Sequence, residues 1–337
     1  MFQLQLDNNI TLDAFVNFPL LKDLQHFYFW MDDGFSLDDV VELNEDIYSW
    51  CAENLLHLRL IGGTTEINSN VNINIFQICP QFSGTSSLEY LHSWHELPRG
   101  DLPNLKHLFL KSPFIGSAER FLSKISTYEK LTHLTLDAPD FYPILRVIGK
   151  QLISLHFGAG IDRIIDYFEI LFLCPSLKKL FQCGGSPCIL ESPFQNRIKT
   201  PTTLEDVALQ LYKRQSSKGL LKTIFQSPDI KSVQLRGFSI GSDDIIEQYE
   251  LPIGLPSLQS LVLDDLQLSD DCPMSIFADM MTRFIFLAPS LKCVSVRWTW
   301  DTDLLAEWNC LTDVKEYITI VNSKSPPTNF EAADEAQ

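Results

Sequence analysis

Basic residues are few in this 337-residue sequence, where 26 lysines and arginines stand against 43 aspartates and glutamates and give a formal net charge of −17. Binding to nucleic-acid phosphates requires clustered Lys and Arg, and docking on anionic lipid requires the same positive charge. The composition therefore argues against a nucleic acid or a membrane as partner, and it favours a basic or neutral protein.

Long apolar runs are missing as well. No stretch approaches the roughly 20 apolar residues of a membrane helix, and the start of the chain lacks the basic and apolar segments of a secretory signal. The eight cysteines are scattered, and several lie in or beside apolar runs, where a thiol packs as a small hydrophobic group. We therefore expect an intracellular protein, cytoplasmic or nuclear, with reduced cysteines.

The common motifs of catalysis are also missing, since the sequence contains no Gly-x-Gly-x-x-Gly, P-loop, His-Glu-x-x-His or Gly-x-Ser-x-Gly. Cys174, Cys183 and Cys188 come nearest to a zinc motif, but their spacings of nine and five match no compact site. Acidic pairs such as Asp264-Asp265 lack the alternating ligands of a calcium loop. We expect no enzyme, no cofactor and no metal; a hydrolase that uses Cys and His is kept as an alternative.

The sequence does contain a recurring phrase, Leu-x-x-Leu-x-Leu. It occurs unaltered or with apolar substitutions at starts 55, 105, 131, 152, 204, 230, 258 and 291. Weaker copies start at Leu88 and Leu177, where Ser93 and Gln182 take the last position, and with them the mean step between starts is about 26 residues. The step from Leu88 to Leu105 is only 17 residues, so either this start is misplaced or that repeat lacks a helix.

Two further units are expected at the ends of the series. An earlier one uses Leu24, Phe27 and Phe29, with Leu21 and Leu24 as a competing register, and a last one uses Val314 and Tyr317. Residues 1–322 are thus predicted to form one solenoid of about 11–12 irregular repeats. Residues 323–337 have the composition of a disordered acidic tail.

The segments between the phrases are predicted to carry helices, because their apolar residues recur at helical spacing. Such faces run over Ala118–Ile125, Ile161–Phe172 and Ile276–Phe284, and Ser36 is a good N-cap for another helix. A Pro-x-Leu sequence opens several phrases. Proline cannot continue the preceding helix and favours an extended residue before it, as a helix-to-strand turn requires.

These repeats resemble the leucine-rich repeat family, in its ribonuclease-inhibitor-like branch, over about residues 15–320. The resemblance implies an α/β horseshoe solenoid with parallel strands on the concave face and helices on the convex face. The stretch from Cys174 to Cys183 is similar to the cysteine-containing repeats of F-box/LRR proteins. The family's Asn or Cys after the phrase is replaced here by Gly63, Pro113 and Pro139, so its buried Asn ladder is not available.

The resemblance implies a protein–protein interaction module. In F-box/LRR proteins the repeats hold a substrate for ubiquitination, while an F-box binds the Skp adaptor of a cullin ligase. No F-box is recognisable in the first 50 residues, so the adaptor is expected as a partner only if an F-box lies upstream. The alternative function is direct inhibition or regulation of an enzyme, independent of any ligase.

The partner surface is predicted from strand geometry. Side chains alternate across a strand, so the two residues that flank the middle Leu of each phrase should point away from the core. Five of the seven histidines occupy such positions, all in the first half of the series. Aromatic, His and Arg side chains are typical anchors of interfaces. The predicted surface consists of His57, Arg59, Tyr90, His92, His107, Phe109, His133, Thr135 and His156.

Three alternatives to this surface stay open. The first is a solvated strand face on which Tyr, Phe and Thr occur because they suit strands. The second is a His-ligated metal, which needs converging ligands, whereas a column spaced by about 4.8 Å splays. The third is a pH-dependent switch, because an ordinary His titrates near pH 6.5.

Overall fold

The computed structural model describes residues 26–30, 57–61, 89–93, 97, 101–111, 118–137, 141–158, 164–184, 192–198, 202–216, 219–241, 254–269, 272–298 and 319–322. The chain divides into two compact units, Met1–Leu155 and His156–Gln337. Several of the predicted features lie outside the described residues: the helix after Ser36, the start at Leu55, Leu88 itself, Ile161 and the acidic tail.

The first unit contains a parallel sheet whose strands are hydrogen-bonded in chain order. Its strands are β1 (His26–Trp30), β2 (His57–Ile61), β3 (Tyr90–Ser93), β4 (His107–Lys111) and β5 (His133–Asp137). Helix α1 (Ala118–Ile125) contacts helix α2 (Tyr142–Ile148), which continues into a 3-10 turn over Gly149–Gln151. Strand β6 (Ser154–Phe157) begins at the end of this unit and finishes in the second.

The second unit repeats this arrangement. Its parallel strands are β7 (Lys179–Gln182), β8 (Asp206–Ser216), β9 (Ser232–Ile240), β10 (Ser260–Leu268), β11 (Cys293–Trp298) and β12 (Thr319–Asn322). Its helices are α3 (Tyr167–Leu173), α4 (Leu220–Phe225) and α5 (Met274–Leu287), with a 3-10 turn over Gln195–Arg197. The predicted α/β class is confirmed: an open, all-parallel sheet with few helices, in a solenoid-like arrangement.

The apolar positions of the phrase form the core. Leu105, Leu108 and Leu110 are at most 2% exposed, and the equivalent leucines of the next repeat are at most 1% exposed. Burying a leucine side chain stabilises the fold by roughly 1.5–3 kcal/mol relative to leaving it in water. Along β5, buried residues alternate with half-buried ones. The predicted alternation of core and outward positions is therefore confirmed around the middle residue of the phrase, although it breaks farther along β9 and β10.

The Pro-x-Leu sequences form tight turns in front of the strands. The amide of Leu105 donates to the carbonyl of Leu102 at 3.1 Å, and Leu177 donates to Cys174 at the same distance. Leu258 donates to Leu255 at 3.3 Å. Each turn has proline at its second position, where the fixed φ of proline suits a turn. These hydrogen bonds set the point at which each repeat enters its strand.

A ladder of main-chain hydrogen bonds joins consecutive repeats at the residue before each strand. The carbonyl of Glu89 accepts from Lys106 N at 2.8 Å and from His107 N at 2.9 Å. In the second unit, the carbonyl of Glu205 accepts from Lys231 N at 2.7 Å and from Ser232 N at 3.1 Å. One carbonyl thus serves two consecutive amides of the next repeat, and no side chain takes part.

The strand register decides between the alternatives left open at the ends of the series. Phe27 pairs with Leu58 across β1 and β2, which confirms the register that starts at Leu24. Leu91 pairs with Leu108, so the start at Leu88 is correctly placed. Of the connection between β3 and β4, residues 97 and 101–106 are described and contain no helix.

The last repeat corrects a prediction. With Tyr317 as the middle residue of the phrase, the last strand would surround Tyr317. Instead β12 spans Thr319–Asn322, and Ile320 pairs with Val294 of β11. The prediction based on Val314 and Tyr317 was wrong by three residues, because both registers place an apolar residue in the middle position and only strand pairing distinguishes them.

The predicted helices are found at two of the three described sites with nearly the expected bounds. Helix α1 covers Ala118–Ile125, and α5 contains the predicted face from Ile276 to Phe284. Helix α3 begins only at Tyr167, because the carboxylate of Asp166 caps it by accepting hydrogen bonds from the amides of Phe168 and Glu169. Within the described ranges, no helix is both long enough and apolar enough to cross a membrane.

Candidate functional site

Three rings of the predicted surface lie in one column on the first unit. Tyr90, His107 and His133 occupy equivalent positions on β3, β4 and β5. The ring centroids of Tyr90 and His107 are 6.0 Å apart, and those of His107 and His133 are 4.1 Å apart, with ring planes inclined by about 30° in both pairs. All three side chains are half-buried. We call this set the ring column.

The charge state of the ring column follows from its surroundings. Burial lowers the pKa of His107 below its ordinary value of 6.5, and the nearby His133 and Lys106 lower it further, while Glu89 acts in the opposite direction. Lys106 Nζ lies 2.7 Å from the Glu89 carboxylate. The imidazole of His107 is therefore neutral at pH 7, and it packs as an aromatic ring that still carries one hydrogen-bond donor and one acceptor.

A second column runs beside the first. Phe109 on β4 pairs with Thr135 on β5, and both side chains are half-buried. His92 on β3 pairs by backbone register with Phe109, and Arg59 on β2 pairs with His92. The side chains of His57, Arg59 and His92 lie outside the described part of the structure. The described core of the predicted surface thus consists of Tyr90, His107, Phe109, His133 and Thr135.

His156 belongs to the second unit and has its own neighbours. Its Nε2 lies 3.2 Å from Cys183 Sγ, and its ring meets the edge of the Phe181 ring at a centroid distance of 6.1 Å. Burial lowers the pKa of His156. Sequence reasoning missed Cys183 as a neighbour because it lies beyond the two flanking positions of its phrase. The available signal was Gln182, a polar residue at a position that is apolar in most repeats.

Charged side chains on the strands of the second unit are paired with one another. Lys179 Nζ lies 3.5 Å from the Asp206 carboxylate, and Asp264 lies 3.7 Å from Arg236 and 3.9 Å from Arg297. Asp264 thus faces two guanidinium groups, which is an ion-pair environment and not that of a calcium ligand. Whereas these charges face each other, the described side chains of the first unit's columns are aromatic or neutral.

A metal role finds no support in this part of the chain. Among the residues that the structure describes, no three His, Cys, Asp or Glu side chains are grouped so that they could hold an ion. The ring column has stacked imidazoles, and stacked rings point their nitrogen lone pairs outward in their own planes rather than toward a shared centre.

No protein-family model and no curated protein sequence matches this chain.

Proposed function

We propose that this chain is a leucine-rich repeat protein that binds a protein partner on the strand face of its first unit, through the ring column together with Phe109 and Thr135. The observation that carries the proposal is the ring column itself: three half-buried rings on adjacent strands, spaced 6.0 and 4.1 Å apart. The horseshoe architecture of that family, with this face on its concave side, is part of the proposal.

The chemistry of the column fits a protein partner. Aromatic rings offer a large contact area and lose little conformational entropy on binding, because they have only two side-chain torsions. The neutral imidazole of His107 adds hydrogen-bonding groups without the desolvation cost of a full charge. On a chain with a net charge of −17, this face suits a neutral or basic partner surface.

Strand propensity alone explains the column less well. Tyr, Phe and Thr are common in strands, but His is not among the residues that strands favour. Two adjacent imidazoles also repel each other whenever both are protonated, so they bring no benefit to stability at acidic pH. A binding role accounts for His107 and His133, whereas a solvated strand face does not.

The proposal is tested with the full chain as bait in affinity purification from cell extract, followed by mass spectrometry. A partner that is retained by the wild type should be lost or weakened with His107→Ala and with Phe109→Ala, by about 1–2 kcal/mol or more for an anchor residue. Gln234→Ala is the matched control, because Gln234 is an exposed outward residue of β9 in the second unit. Equal binding by all four proteins would contradict the proposal.

Substrate recognition for a cullin-type ubiquitin ligase is the biological role that the F-box/LRR resemblance suggests for this face. It predicts that the Skp adaptor co-purifies with the natural full-length protein. Capture of the partner without the adaptor would instead support a direct regulator of an enzyme. In either case, the His107→Ala and Phe109→Ala variants measure the contribution of the ring column and Phe109 to partner binding.

A further inference from the structure

A thiol and an imidazole meet on the second unit, apart from the ring column. Cys183 Sγ lies 3.2 Å from His156 Nε2, and the Cys183 side chain is exposed to solvent. Among the described cysteines this exposure is unusual. Cys174 and Cys272 are buried, and Cys293 is half-buried.

The backbone around Cys183 is held on both sides. The amide of Cys183 donates to the carbonyl of Phe157 at 2.9 Å. The preceding residue, Gln182, is only 5% exposed; its amide nitrogen donates to the carbonyl of Gly184 at 3.0 Å, and its amide oxygen accepts from the hydroxyl of Tyr167. Cys183 therefore projects from a fixed strand end and not from a loose loop.

The residue that anchors this strand end departs from the repeat pattern. Gln182 occupies the third phrase position, which holds Leu209, Leu235 and Leu263 in later repeats of the same unit. Burying an amide where a leucine would serve costs free energy unless every hydrogen bond is made. Local departures of this kind concentrate at functional sites.

A buried carboxylate supports the same arrangement from the helix side. Asp166 is 3% exposed, caps α3 through Phe168 N at 3.0 Å, and accepts from Ser192 Oγ at 2.6 Å. These bonds fix the start of α3, and with it Tyr167, which holds Gln182. Asp166 is thus connected through Tyr167 to Gln182, the residue that precedes Cys183.

We propose that Cys183 is a nucleophilic thiol, assisted by His156, that undergoes thiol–disulfide exchange with small disulfides. In this reaction His156 Nε2 accepts the proton of the Cys183 thiol. Cys183 Sγ attacks one sulfur of the disulfide and forms a mixed disulfide with it. The original S–S bond breaks, and its electron pair leaves with the second sulfur as a thiolate, so no further oxidant is needed.

The surroundings of His156 suit the role of proton acceptor. Burial lowers the pKa of its imidazole, which keeps the ring neutral at pH 7 and its lone pair free to accept the thiol proton, although it also makes the ring a weaker base. The edge contact with Phe181 restricts the ring in the orientation that faces Cys183. The exposed sulfur leaves room for the attacked disulfide, as exchange requires.

The test uses the full chain and dithiodipyridine, an aromatic disulfide whose released product absorbs light. A sub-stoichiometric amount is added at pH 7, and peptide mapping by mass spectrometry identifies which cysteine has reacted. We expect Cys183 to be modified before Cys293. Cys183→Ser should remove the reaction phase that peptide mapping assigns to Cys183, and His156→Gln should slow modification of Cys183 by about 100-fold.

His133→Gln is the matched control, since it makes the same exchange in the ring column of the first unit and leaves the contact between His156 and Cys183 unchanged. Its Cys183 should react at close to the wild-type rate. Modification of Cys183 no faster than Cys293 in the wild type would overturn the proposal, and that comparison needs no variant to fold. An unchanged Cys183 rate in a folded His156→Gln protein would overturn the role of His156. Because Cys183 is not part of the ring column, either result is independent of partner binding.

Discussion

The imidazole of His107 lies over that of His133, with ring centroids 4.1 Å apart and ring planes inclined by 30°. At this distance, a positive charge on both rings at once would be unfavourable. Burial, together with the nearby His133, lowers the pKa of His107 from the ordinary value of 6.5. Proton uptake by this residue is therefore coupled to folding.

We expect the protein to lose stability as the pH falls below about 6.5. In that range the unfolded chain binds a proton at His107 more readily than the folded protein does, so protonation favours unfolding. The loss begins near the unfolded pKa and levels off below the folded one. Urea unfolding between about pH 7.5 and pH 5 measures it. His107→Gln should show a smaller loss over the same interval, and an identical pH dependence in both proteins would refute the coupling.

The neighbours Leu108 and Phe109 should respond differently to truncation. Leu108 is 2% exposed between repeats, so Leu108→Ala should reduce the free energy of unfolding by about 2–5 kcal/mol. Phe109→Ala should cost clearly less, because its side chain is only half-buried. Urea unfolding measures both variants side by side. A larger loss for Phe109→Ala would mean that Phe109 belongs to the core and not to the outward face.

Gly237 is required by a break in the strand pairing. Between the pairs Gln210↔Arg236 and Gln215↔Phe238, Gly237 alone lies opposite the extra residues of β8. Its φ is +69°, and a Cβ there would lie 2.5 Å from the carbonyl oxygen of Leu211. We expect Gly237→Ala to destabilise the protein by roughly 1–3 kcal/mol, because an unfavourable backbone conformation is combined with this clash.

Gly254→Ala is the matched comparison for Gly237→Ala. A Cβ at Gly254 would lie 3.2 Å from the carbonyl oxygen of Leu287, without a positive φ. Its effect on the midpoint of urea unfolding should therefore be smaller. If Gly254→Ala proved to be the more damaging change, backbone conformation would not be the main requirement at Gly237.

Glu205 joins two lysines at the edge of the second unit. Its carboxylate lies 2.6 Å from Lys178 Nζ and 2.5 Å from Lys231 Nζ, and hydrogen bonds from these two lysines lower its pKa to about 2. The stabilisation is present above the ordinary pKa of 4.5 and is lost as the pH falls toward 2.

Glu205→Gln should therefore lower stability at pH 7 only modestly, by less than about 1 kcal/mol, since both lysines are about half exposed and water screens the pairs. The difference from the wild type should shrink in high salt. Thermal unfolding at low and high ionic strength provides the measurement. A difference that persists unchanged in high salt would show that Glu205 acts through packing instead.

The repeat phrase predicts the core well because a leucine between two repeats has one role, which is to fill the apolar space between them. Residues such as Leu134 and Leu261 repeat at fixed spacing, and the residues beside them alternate outward as strand geometry demands. That rule places His107 above His133 without any structural information. It also predicts where the tight turns precede the strands, through the prolines.

The contact between His156 and Cys183 could not be predicted in the same way. Cys183 lies past the end of its phrase, and its position depends on where Tyr167 meets Gln182. That meeting is set by the start of α3, which the capping side chain of Asp166 shifts relative to the apolar pattern. Likewise, the bulge opposite Gly237 depends on extra residues in β8 that no periodic pattern records.

The main-chain ladder before the strands does not depend on its side chains, although some of them form ion pairs, as Glu205 does with Lys178 and Lys231. The rungs are made by peptide groups, and the same rung is formed at Lys106, Thr132, Glu205 and Gln259. Substitutions of these residues can therefore change the charge along this edge of the sheet while the main-chain hydrogen bonds between repeats stay intact. Such substitutions would change which charged surfaces the protein attracts or repels without changing its fold.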